Sequence, residues 1–188
     1  MTFSNQATIP DSTYNNYKIV NDAYSCLVPG SVTTVKVNGT IQTTGFVVEG
    51  AGGNIYFPVA LTSGDVVTVS GFAQPMTQAG GFFEWSIDMD IDNVDVTTFE
   101  SAGWKEFLNV LVSWSGKAQR YWGDSMFWEA LAAEAPMCLV FYLQTGSTKD
   151  RLQTYGLIKK LSYDVPVTGV VKESIDLQGS GALFYRQN

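Results

Sequence analysis

The sequence predicts a mainly β fold, an antiparallel sandwich or barrel carrying one α-helix. Short β-branched and aromatic runs recur from Thr33 onward, each broken by Gly, Asn, Ser or Pro. Residues 83–92 alternate between apolar and polar, mostly acidic, side chains, the signature of a strand with two unlike faces. Only one stretch, 124–135 (DSMFWEALAAEA), has credible helical spacing.

Taken in order, residues 1–30 are polar, mix Asn, Ser, Thr and Pro, and read as an extended N-terminal arm that orders on assembly. Residues 31–188 are expected to form one domain, with a sub-boundary at 75–81 as the alternative. TVKV precedes Asn38-Gly39, a hairpin signal, because both residues tolerate the positive φ of a type I′ turn. TIQ, GFVV, NIYFPVAL and DVVTVSGF follow as strands, and Gln74 to Gly81 is a connector. Phe83, Trp85, Ile87, Met89 and Ile91 then share one face, and Glu84, Ser86, Asp88, Asp90 and Asp92 the other. NVLVSWS is another strand, and the helix has Asp124 or Ser125 as its cap and Pro136 as its stop. MCLVFYL, TYGLIKKLSY and VVKESIDLQGSGALFYR close the chain as three strands.

Composition narrows the function classes. Of 188 residues, 45% are hydrophobic and only 15% charged, so neighbouring subunits or a well-packed core must hide much apolar surface. The net charge of −7 argues against a protein that grips nucleic acid through phosphates. No stretch is long and apolar enough to span a bilayer, and MTFSNQATIP lacks the basic and apolar regions of a signal peptide. Cys26 and Cys138 stand far apart in no metal spacing and are expected as buried, reduced thiols, a single disulfide being the alternative.

The absence of His removes the commonest general base and metal ligand, and with it every Ser/His or Cys/His nucleophile. A hydrolase would have to work by carboxylates alone. The run from Glu84 to Glu106 holds seven of the eighteen acidic residues, yet strand neighbours on one face share one environment, which does not split acid from base. DMDIDN, residues 88–93, resembles the start of a calcium loop but has Asn93 at the turn position and Phe99 where a bidentate Glu is needed. The five Trp, eleven Phe and nine Tyr suit cores and interfaces, or a sugar-binding surface. No phosphate-cradling glycine motif is present. The expectation is a non-enzymatic chain with no cofactor and no metal site.

Two stretches carry a resemblance. VDVTTFESAGWKEFLNVLVSWSG, residues 94–116, resembles the segment after the long loop in tail tube proteins of long-tailed bacteriophages, where a Val-Thr-(Ser/Thr)-Phe step precedes a Gly-aromatic pair and a strand. GLIKKLSYDVPVTGVVKESIDLQGSGALFY, residues 156–185, is similar to that family's closing hairpin. With the helix between them, the match covers about half of the chain, and the stretch before Gly80 departs from it.

The resemblance implies a tail-tube-like structural virion protein whose copies form hexameric rings stacked into a channel for DNA ejection. It implies other tail proteins as partners, DNA in transit without specific binding, and location in the virion tail after assembly in the host cytoplasm. Thr97, Phe99, Gly103, Trp104, Gln178, Gly179 and Gly181 are then the assembly candidates. Glu84, Asp88, Asp90 and Asp92 are the lumen-facing acidic candidates, since a like-charged wall keeps phosphate from sticking. Alternation leaves open which face looks into a channel. The alternatives are another tail component, such as a terminator, and a carbohydrate-binding or adhesin-like sandwich.

Overall fold

A computed structural model describes residues 1–98, 100, 103–144 and 150–187. Its elements in chain order are β1 (Thr2–Pro10), β2 (Asn16–Ile19), a short 3₁₀ turn (Asp22–Tyr24), β3 (Thr34–Val37), β4 (Thr40–Gln42), β5 (Val47–Glu49), β6 (Asn54–Tyr56), β7 (Val67–Phe72), β8 (Phe82–Asp95), β9 (Phe107–Tyr121), α1 (Met126–Ala133), β10 (Met137–Tyr142), β11 (Arg151–Asp164), β12 (Lys172–Gly179) and β13 (Phe184–Arg186). The protein is mainly β, its curled antiparallel sheets are of the sandwich or barrel type, and one α-helix is present among the described residues. The chain divides into two compact units: Met1–Gln78 with Pro136–Tyr155 and Leu183–Asn188, and Ala79–Ala135 with Gly156–Ala182. Residues 31–188, expected as one domain, thus contribute to both units, and the first crossing falls inside the 75–81 stretch.

The first unit holds a seven-stranded sheet in the order β4-β3-β7-β1-β2-β6-β5. Residues 1–30, expected as an arm, instead supply β1 and β2, and β1 pairs with β2 on one side and β7 on the other. A register shift between Phe3 and Gln6, with Asn5 at φ 48°, explains why the sequence hid this strand. Phe3, Gln6 and Thr8 turn inward, so the side-chain parity changes midway and no simple alternation survives. Ladder bonds on both edges hold a strand whose side chains contribute little apolar area.

Val35, Val67, Val69, Ile19 and Ile55 fill this unit's core, with Tyr17 edge-on to Phe57 and Phe3 stacked on Tyr24. The Asn38-Gly39 hairpin forms as expected: φ is 50° and 81°, and Val37 pairs with Thr40. The Asn38 side chain also accepts the Val66 N–H at 2.9 Å, fastening the turn to the start of β7.

The reduced-thiol expectation is corrected. Cys26 and Cys138 form a disulfide with a Cα separation of 6.4 Å across 112 residues of sequence. The return of the chain to the first unit at Pro136 makes the pairing, which no spacing in the sequence encodes. Gln74 aligns the two segments: its N–H donates to the Cys26 carbonyl at 2.9 Å, and its Oε1 accepts the Cys138 N–H at 2.7 Å.

In the second unit, α1 lies within the expected 124–135. Asp124 Oδ1 accepts the Met126 N–H at 3.2 Å at its start, and Glu134 takes a left-handed conformation, φ 50°, at its end. The last expected strand, VVKESIDLQGSGALFYR, is broken by its glycines into β12 and β13.

Candidate assembly surface

The second unit's sheet runs β8-β9-β12 and then residues 156–164 of β11. Pairing runs across four strands, as in the row Ser86, Lys117, Asp176, Lys160 and the row Asp88, Ser115, Gln178, Leu157, with a register shift in β11 between Ile158 and Lys160. Directly opposed residues share a face. Glu84, Asp88, Asp90 and Asp92 therefore lie on one face together with Asp176 and Asp164, all exposed or half-buried, alongside Lys117, Lys160 and Lys172. This face is net acidic but mixed, and a shallow groove of about 340 Å³ on it is lined by Lys117, Lys159, Lys160, Asp88 and Asp176. Among the described residues, no three metal-binding side chains cluster.

The opposite face carries Trp114, Ala118, Ile175 and Leu177, all buried. Arg120 and Glu173 face each other in the same layer, each about 1% exposed, and Arg120 Nε donates to Glu173 Oε2. The Arg120 guanidinium sits 4.5 Å from the Phe127 ring centroid and donates to the Asp124 carbonyl and carboxylate at 3.1 and 2.9 Å. One buried cation thereby joins β9, β12 and the start of α1. Hydrogen bonding from Arg120, more than any other influence, holds the Asp124 carboxyl below its usual range.

β12 accompanies β9 only as far as the Gln178–Ser115 pair. From there β8 and β9 continue as a two-stranded ribbon through Met89–Trp114, Ile91–Val112, Asp92–Leu111 and Val94–Leu108. A register shift between Asp92 and Asn93 places Val110 as an extra residue. Phe107, Leu108, Val110, Leu111 and Val112 are all at least half exposed, and Met89 and Ile91 nearly so or more. Leu111 shares the face of Asp90 and Asp92 and Val112 the face of Ile91, so exposed apolar residues stand on both sides of the ribbon, among acids on one of them. Isolated two-stranded ribbons are marginal in water, and exposed apolar runs of this size mark contact surfaces.

The assembly candidates separate by role. Thr97 closes the ribbon: its N–H donates to Asp95 Oδ1 at 2.9 Å and its Oγ1 accepts the Glu106 N–H at 3.0 Å. Its hydroxyl bond, first among these contacts, keeps the Asp95 carboxyl below the usual carboxylate range. Gly103 turns at φ 83° in open space, and the adjacent Trp104 is 79% exposed. Phe99 lies outside the described residues. Gln178 and Gly179 serve the unit's own packing. Gln178 Nε2 donates to the Trp114 carbonyl at 3.3 Å, and a Cβ at position 179 would stand 2.4 Å from the Trp114 indole nitrogen. Gly181 bends at φ 104° with nothing nearby.

Sequence reasoning missed the apolar run on β9 as a surface, because apolar residues at consecutive positions read as a strand buried on both faces. It also missed Arg120, whose partners lie 4 and 53 residues away. The acid in TGVVKESI offered no signal that it would be the buried one.

No family model matches the chain, and no curated protein matches it. Among solved structures, the tail of an empty gene transfer agent particle, refined helically under C6 symmetry, aligns at 20% identity and TM-score 0.49, covering 56% of this chain and 82% of that one. The virion of a native gene transfer agent particle aligns at 21% identity and TM-score 0.47, covering 57% and 85%. Among the described residues, no helix is long and apolar enough to cross a membrane.

Proposed function

We propose that this chain is a non-enzymatic structural subunit of a phage-like tail, whose copies associate into hexameric rings that stack into a tube for DNA. The observation that carries the proposal is the β8–β9 ribbon, which exposes apolar side chains on both faces in the single chain. A surface of this kind is stable when a neighbouring copy covers it, and cyclic closure also covers the free edge at β8. The resemblance of residues 94–116 and 156–185 to tail tube proteins supports the hexamer and the stacking. The exposed acids of β8 suit a channel wall that repels phosphate over a Debye length of about 8 Å at ordinary salt. The lysines on the same face soften that repulsion.

The exposed Trp104, Trp122 and Trp128 favour a second reading, a carbohydrate-binding surface. Sedimentation of the purified chain over a wide concentration range separates the two. A species of about six chain masses, growing with concentration in low and high salt, is expected; a monomer throughout that binds on a glycan array contradicts the assembly reading.

A further inference from the structure

The first unit contains a buried cluster in which cations outnumber their counterions. Arg151 and Arg186 are directly opposed in β11 and β13, and are 2% and 3% exposed. Like charges in that position repel, and burial denies them the screening of water. Among the described residues, Asp22 is the one carboxylate bound to either, accepting from Arg151 Nη1 at 3.0 Å and also from Nη2. Arg186 spends Nη1 on the Gly52 carbonyl at 2.7 Å and Nη2 on the Ile19 carbonyl at 3.1 Å, both neutral acceptors. The Nε atoms of both arginines are buried with no acceptor.

Lys18 completes the group. Its ammonium donates to the Gln187 carbonyl, again a neutral acceptor, which leaves two of its three protons for other partners. Burial and then the Arg186 and Arg151 charges push Lys18 below its ordinary range, and burial followed by Arg151 brings Arg186 down to about 10. The repulsion is felt at Lys18 and Arg186, whereas hydrogen bonding to Asp22 raises Arg151. Among the described residues, three positive charges here face the one negative charge of Asp22.

We propose that Lys18, Arg151 and Arg186 form a binding site for a small phosphate-class oxyanion. A dianion cancels the excess of two charges, whereas a monoanion leaves one uncompensated. Guanidinium forks match the oxygen spacing of phosphate, and the ammonium adds a point charge. The anion takes the donors now unused, the two Nε–H groups and the remaining Lys18 protons. Entry is from the side of Asp22, whose side chain is 51% exposed, and of half-buried Lys18. This site stands apart from the assembly reading and does not depend on it.

The test is thermal unfolding of the full chain in phosphate, chloride and acetate at matched ionic strength, which separates specific binding from screening. At ~50 mM phosphate the wild type is expected to melt roughly 3 to 10 °C higher than in chloride or acetate. Lys18→Gln, at the rim of the cluster, should lose most of that increment, and Arg186→Gln all of it. Should Arg186→Gln fail to fold, Lys18→Gln alone decides. Titration calorimetry with phosphate should show one site per chain that weakens at least about tenfold in Lys18→Gln, a loss of one charge-assisted contact. No phosphate-specific rise in the wild type, an equal rise in acetate, or an increment that survives in Lys18→Gln overturns the proposal.

Discussion

Replacing Leu111 and Val112 together by Asp is expected to abolish self-association, lowering the association constant by at least about a thousandfold. Each apolar side chain contributes roughly 1.5–3 kcal/mol when fully covered, and each new carboxylate adds the penalty of a charge buried without a partner. The two residues sit on opposite faces of the ribbon, so the pair disables it whichever face a neighbour covers. Both are about two-thirds exposed in the single chain, so its own unfolding should change by less than about 1 kcal/mol. Sedimentation of the variant beside the wild type reads the first effect, and denaturant unfolding the second. Unchanged assembly would mean that the ribbon is not the contact surface.

Removing the Cys26–Cys138 disulfide should be the largest single change to the stability of the first unit. It closes a loop of 112 residues, and loop-closure entropy for that length gives about 3 to 5 kcal/mol. Cys26 is fully buried, so the doubly substituted Cys26→Ala, Cys138→Ala chain should resemble the reduced wild type. Urea unfolding with and without reductant is the measurement. The midpoint should fall on reduction in the wild type and stay fixed in the variant. Identical midpoints, with two free thiols counted in the unreduced protein, would show that the bond is not formed.

Legibility in the sequence followed the range of the interactions. Asn38-Gly39 encodes its turn in two adjacent residues, and Asp124 with Pro136 brackets α1 within one segment, so both were readable. The polar and apolar faces of β8 were readable for the same reason, since alternation is local. β1 was not, because its bulge breaks the alternation and its place in the sheet comes from pairing with β7, more than 60 residues away. The disulfide, the Arg120–Glu173 pair and the Arg151–Arg186 opposition all join distant residues whose types carry no mark of their partners. The ribbon was legible as a strand and illegible as a surface, because apolar residues look alike whether their own fold or a neighbouring chain covers them.

Negative-stain microscopy of the purified chain tests the central claim most directly. The account predicts closed rings with six-fold views and a central opening, stacking into tubes as concentration rises. A field of single particles with no rings, at concentrations where sedimentation is complete, would contradict it.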